Sequence, residues 1–198
     1  MLPKLGTNIE MLIIKKIKSK NQNIDNYFTT TNKNILYIKD YGETYWIFPF
    51  SFVPYLPPIK SFNELYLNSE DELKILTVVL NSNLFYWFYT LISDCWHFNK
   101  WHINKFQVSI TSLNDYKDLL ISCHNILINS YKKNRNTRYD SRINGDLYEY
   151  KIAKSKSIID EIDKVLARHY GFTDEELDFI INYDIKYRMG SELEDDEE

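Results

Sequence analysis

The chain has 198 residues, 44% of them hydrophobic and 26% charged, which is enough apolar material to bury a core and excludes a wholly disordered polypeptide. The formal net charge of −4 sits at one end: Glu192, Glu194, Asp195, Asp196, Glu197 and Glu198 take six of the 28 acidic residues, leaving 22 against 24 basic residues in 1–190, a net of +2. Cys95 and Cys123 are too few for a disulfide framework and no secretory leader is visible, so a reduced, cytoplasmic protein is expected.

Residues 8–19 read as an amphipathic helix, with Ile9, Leu12, Ile13 and Ile17 on one side and lysines opposite. Ile35–Ile38 and Tyr45–Phe48 are β-prone runs, and Asp40 and Gly42 between them predict a hairpin. Pro54, Pro57 and Pro58 then force an extended connection. Ser69 with Glu72 forms a capping box for a helix to about Leu80, and Asn81 or Ser82 caps a second helix to about Ser93. The apolar stretch Leu73–Ile92 is broken by Asn81-Ser82-Asn83 and reads as buried helix, so no membrane role is expected.

A polar loop follows, with Trp96, His97, Asn99, Lys100, Trp101 and His102, and then strand-like Phe106-Gln107-Val108. Residues 113–133 form a third long helix, and Lys132–Gly145 is a polar, basic loop between helices. Ile158, Ile159, Ile162, Val165 and Leu166 mark a helix that stops at Gly171, and Thr173 with Glu176 caps the next. These elements predict an α+β fold: a small antiparallel sheet packed with helices, followed by a C-terminal helical hairpin from about 150 to 188, and a disordered acidic tail at 191–198.

Basic residues cluster locally, with Lys100, Lys105, Lys117, Lys132, Lys133, Arg135, Arg138 and Arg142 against three aspartates in 95–145. Such a block either neutralises phosphates or is a solvated face. In the loop Trp96–His102, Asn99 suits an adenine edge, Lys100 a guanine or a phosphate, and Trp or His a stacked or wedged base. The plain alternative is a helix–strand connection whose tryptophans close the core. Cys95, His97, His102, Cys123 and His124 have the residue types of a zinc site but not its spacing. Asp160, Glu161, Asp163, Glu175 and Glu176 read as solvated helix surface.

Three blocks carry a resemblance to a known family. They are Tyr45-Trp46, the stretch Leu80–Ile110 (LNSNLFYWFYTLISDCWHFNKWHINKFQVSI), and the run from Ser155 through His169-Tyr170-Gly171-Phe172-Thr173 to Gly190. Together they resemble the C-terminal target-recognition region of adenine-specific DNA methyltransferases of type II and type IIG restriction–modification systems. The loop Trp96–His102 is richer in Trp and His, and poorer in Arg, than that family.

The resemblance implies a linker or docking helix in 1–30, a recognition domain in 31–148 and a helical hairpin in 149–190. It also implies duplex DNA as partner, contacted by Tyr45, Trp46, His97, Asn99, Lys100, Trp101, His102, Lys132, Lys133, Arg135, Arg138 and Arg142. The family's catalytic domain binds S-adenosylmethionine and flips adenine into a motif of Asn or Asp followed by Pro-Pro and an aromatic residue. Here the one Pro-Pro pair lies in Leu56-Pro57-Pro58-Ile59, and no Gly-rich turn follows a strand. The cofactor and the chemistry are therefore expected in a partner chain or a separate domain. The opening Met1-Leu2-Pro3-Lys4-Leu5-Gly6 resembles an internal linker of the larger enzymes and is expected of a fragment. A different class stays open: an interaction or regulatory module of DNA-mimic or anti-restriction type, in which the acidic tail competes for a basic channel.

Overall fold

Thr7 opens the first helix, α1 (Asn8–Lys18): its hydroxyl accepts the Glu10 N–H, and the Glu10 carboxylate accepts the Thr7 N–H at 2.9 Å. The computed structural model describes residues 5–31, 33–39, 62–141 and 144–190. The expected turn and strand at 40–48, the proline-rich connection, Arg142 and the acidic tail lie outside the described residues. On α1 the buried stripe is Ile13, Ile14 and Ile17, while Leu12 faces solvent. The core-facing side is thus rotated from the expected one, because Ile14 and not Leu12 meets the core.

Strands β1 (Phe28–Thr29), β2 (Asn34–Lys39) and β3 (Phe62–Leu67) form an antiparallel sheet in the order β1-β3-β2. The partner of β2 is therefore β3, which carries no assignment in the sequence reading. Leu36 lies opposite Leu65, and Leu36, Ile38, Leu65 and Leu67 alternate onto the buried face. That face packs on α2 (Glu70–Leu80), opened by the expected Ser69–Glu72 box, and α3 (Asn83–Ile92) follows with Ser82 as its cap.

Two short helices, α4 (Lys100–Lys105) and α5 (Ile110–Leu113), lead to the long α6 (Lys117–Lys133). The expected strand at Phe106–Val108 reduces to an isolated bridge between Gln107 and Asn23. The Val108 N–H to Gln22 carbonyl bond at 2.9 Å adds to it. The expected basic loop is instead an antiparallel ribbon of β4 (Arg135–Asp140) and β5 (Gly145–Tyr150). Alternation puts Thr137 and Tyr139 on one face with Tyr148 and Tyr150, and the Arg135 guanidinium lies 4.1 Å from the Tyr148 ring. Charged residues interleaved with β-prone tyrosines had hidden this period of two.

The C-terminal helices are those expected. α7 (Lys156–Tyr170) ends at Gly171 in the left-handed region, at φ 69°, and α8 (Asp174–Ile181) starts from the Thr173–Glu176 box. α9 (Ile185–Met189) is the last element of the described residues, with Arg188 buried and its guanidinium 4.2 Å from the Tyr86 ring. One hydrophobic cluster runs through all of this, from Ile13 through Leu36, Trp87, Tyr131 and Leu166 to Ile180. The fold is α+β: two small antiparallel sheets packed with helices, and a helical C-terminus. No single helix among the described residues is long and apolar enough to cross a membrane; α2 and α3 reach that composition only as a pair bent by 66°.

Candidate nucleic-acid interface

Helix α3 is apolar on nearly every side, so it is held from all directions and its end is a rigid platform. At its N-terminus the Ser82 hydroxyl accepts the Phe85 N–H at 3.0 Å. Asp163, from α7, accepts the Asn83 and Leu84 N–H groups at 3.0 and 2.9 Å and the Asn83 side-chain amide at 2.8 Å. The surface reading of Asp163 is thereby corrected: it is buried, and burial pushes its carboxyl up to about 7 despite those three donors. Glu176 is likewise buried, accepting the Thr173 N–H at 2.7 Å and pairing with the Lys16 ammonium at 2.5 Å.

At the C-terminal end of α3 the chain makes a tight turn. Cys95 sits in the left-handed region at φ 60°, and its N–H donates to the Ser93 hydroxyl at 3.1 Å. Asp94 organises the turn: Oδ1 accepts the Trp96 and His97 N–H groups at 3.0 and 2.9 Å, and Oδ2 meets His97 Nδ1 at 2.6 Å. These bonds to His97 and Trp96 hold the Asp94 carboxyl well below the usual carboxylate range. The Tyr89 hydroxyl donates to the His97 carbonyl at 3.0 Å from below. Under the turn lies an aromatic bed, with Tyr89 edge-on to Phe98 at 5.6 Å and to His102 at 5.3 Å, and Phe85 against Phe98 and Phe106.

Half of the expected loop is the helix α4. Asn99 is its cap, with Oδ1 accepting the Trp101 N–H at 3.0 Å, while its own N–H donates to His102 Nδ1 at 3.2 Å. The cap takes one lone pair of the Asn99 oxygen, leaving the amide nitrogen as the group not engaged by it. His102 is buried, at 6% exposure, and burial pulls it below the usual histidine range. It supports the loop from the core side, and it also lines the cleft at the surface. Trp96 and Trp101 are the reverse, 59% and 44% exposed, so they do not close the core. Lys105 lies 5.6 Å above the Trp101 ring and Lys100 5.0 Å above Phe28.

Ser93, Asp94, His97, Asn99, Trp101 and His102, with Ile92, line an open cleft of about 360 Å³. The fold thus brings together His97, Asn99, Trp101 and His102. Lys132 and Lys133, exposed at the end of α6, and Arg135 and Arg138 on β4 do not line that cleft. Tyr45, Trp46 and Arg142 lie outside the described residues. Asp94 was not singled out in the sequence; an Asp two and three residues before the N–H groups it caps is the turn signal that marks it. Among the described residues no three His, Cys, Asp or Glu side chains converge on a metal site.

Comparison with protein-family profiles, with curated proteins and with solved structures finds no match to this chain.

Proposed function

We propose that the chain is the sequence-recognition module of a restriction–modification N6-adenine DNA methyltransferase, acting on duplex DNA in the cytoplasm. The observation that carries this reading is the turn 93–97. It is built from local hydrogen bonds, yet it holds Trp96 and His97 out to solvent, and His97 lines a cleft with the exposed Trp101 of α4. Exposed aromatic groups on a rigid support suit contact with bases. The same turn lies inside the stretch that resembles the family. The basic residues Lys132, Lys133, Arg135 and Arg138, which lie outside the cleft, supply phosphate contacts. S-adenosylmethionine and the methyl-transfer residues belong to a partner chain or a further domain, for which the exposed Met11 and Leu12 on α1 are the docking contacts.

The test is fluorescence anisotropy on mixed-sequence duplex DNA across a salt series, for the full chain and for a form ending at Gly190. The expected result is binding by both forms whose log K falls linearly with log salt, by about 0.9 per phosphate contacted. No binding by either form at low salt refutes the proposal and favours an interaction module.

A further inference from the structure

The turn at Asp94 has a chemical handedness that bears on which bases it accepts. The two Asp94 oxygens are divided: Oδ1 takes the backbone N–H groups of Trp96 and His97, and Oδ2 takes the His97 ring at Nδ1, 2.6 Å away. An ionised carboxylate only accepts, so the ring proton of neutral His97 resides on Nδ1. Nε2 is then left as a lone pair at the far side of the ring. That ring is 64% exposed, and it lines the cleft beside Trp101 and Asn99. The bond from the Tyr89 side-chain hydroxyl to the His97 backbone carbonyl anchors the residue that carries the ring.

Resting on the recognition reading above, we propose that His97 reads a base edge as a hydrogen-bond acceptor through Nε2, and so selects the exocyclic amino group of adenine or cytosine in the major groove. In that groove only adenine N6 and cytosine N4 present donors. Guanine offers acceptors at N7 and O6, and thymine an acceptor at O4 and a methyl group, so both leave the Nε2 lone pair facing another acceptor. Asp94 is the positioning residue, since it sets the tautomer without touching the base. The same geometry makes the polarity reversible. In an Asp94→Asn variant the two backbone N–H groups still require an acceptor, so the amide oxygen stays with them. The amide nitrogen then faces His97 Nδ1 and moves the ring proton to Nε2, which becomes a donor.

The experiment is selection of bound duplexes from a pool with a randomised central segment, read by sequencing, at a pH well above the ordinary histidine range. It uses the full chain as wild type, Asp94→Asn and His97→Ala. The wild type is expected to enrich a site with adenine or cytosine at one position by about tenfold or more. His97→Ala should flatten that position alone, and Asp94→Asn should turn it towards guanine or thymine. Two-bond proton–nitrogen spectra of the histidine rings read the tautomer directly without DNA. They should place the His97 proton on Nδ1 in the wild type and on Nε2 in Asp94→Asn. A site enriched equally by all three proteins overturns the acceptor role while the recognition function stands. A wild-type proton found on Nε2 also overturns it. A wild type that enriches nothing overturns both.

Discussion

Asp163 offers the sharpest energetic test, because it is buried, ionisable and fixes the start of the helix that carries the candidate interface. Burial raises its carboxyl from the ordinary range to about 7, so the folded state holds a proton that the unfolded chain releases near 4. With the folded value above the unfolded one, the associated stability is fully present below about pH 4 and is lost as pH rises through about 7. Between pH 5 and 8 the loss amounts to about 3 kcal/mol, at roughly 1.4 kcal/mol for each unit in which the two states differ. His169 works in the opposite sense over much of the same window. Burial and the Lys20 charge pull it down to about 4, so its contribution is lost as pH falls from about 6.5. His102 and His124, also lowered by burial, act in the sense of His169, so the wild-type profile alone mixes opposing slopes and the informative quantity is the difference from Asp163→Asn. Urea denaturation of both proteins from pH 5 to 8 should show the wild type falling relative to the variant by about 3 kcal/mol. Asp163→Ala, which orphans the Asn83 and Leu84 N–H groups and the Asn83 amide, should cost about 3–5 kcal/mol at pH 5. A wild type that holds or gains stability relative to Asp163→Asn towards pH 8 would show that the three donors outweigh burial, and the reasoning fails.

Asn99→Ala should destabilise the chain by about 1 kcal/mol through loss of the α4 cap, whereas Asn99→Asp keeps that cap. If Asn99 also donates to DNA, Asn99→Asp should bind duplex several-fold more weakly at unchanged thermal stability; unchanged affinity would confine Asn99 to capping. Lys132, Lys133 and Arg138 sit on exposed positions at the end of α6 and on β4. Replacing all three by Gln should lower the slope of log K against log salt by about 0.9 for each residue that touches a phosphate, uniformly across sequences. A slope that does not move would place the phosphate contacts elsewhere.

Much of the helical frame is legible in the sequence because its signals are local. Thr173 with Glu176 and Ser69 with Glu72 write helix starts that the structure reproduces, and Gly171 writes a helix end. What escapes is what depends on distant partners or on short periods. Asp163 reaches its donors across 80 residues of sequence, so an acidic helix position reads as surface until α3 is seen against it. The ribbon Arg135–Tyr150 hides because its basic residues suggest a solvated loop, although Thr137, Tyr139, Tyr148 and Tyr150 alternate onto one face. The six residues of α4 are too few to show a period.

The same short helix explains why two histidines five residues apart have different roles. His102 lies at the third position of α4, where it closes the cap with the Asn99 N–H and turns onto Tyr89 and Phe98. His97 precedes the helix, on a turn whose polar groups are satisfied by Asp94 and Tyr89, and nothing draws it inward. Burial thus separates the residues that hold the loop from those that are presented by it, a division the residue types alone do not contain. On this division a substitution of His102 should act on stability first and on binding only through the loop. A substitution of Trp96 or His97 should leave stability within about 0.5 kcal/mol, as exposed positions do, and act on binding directly.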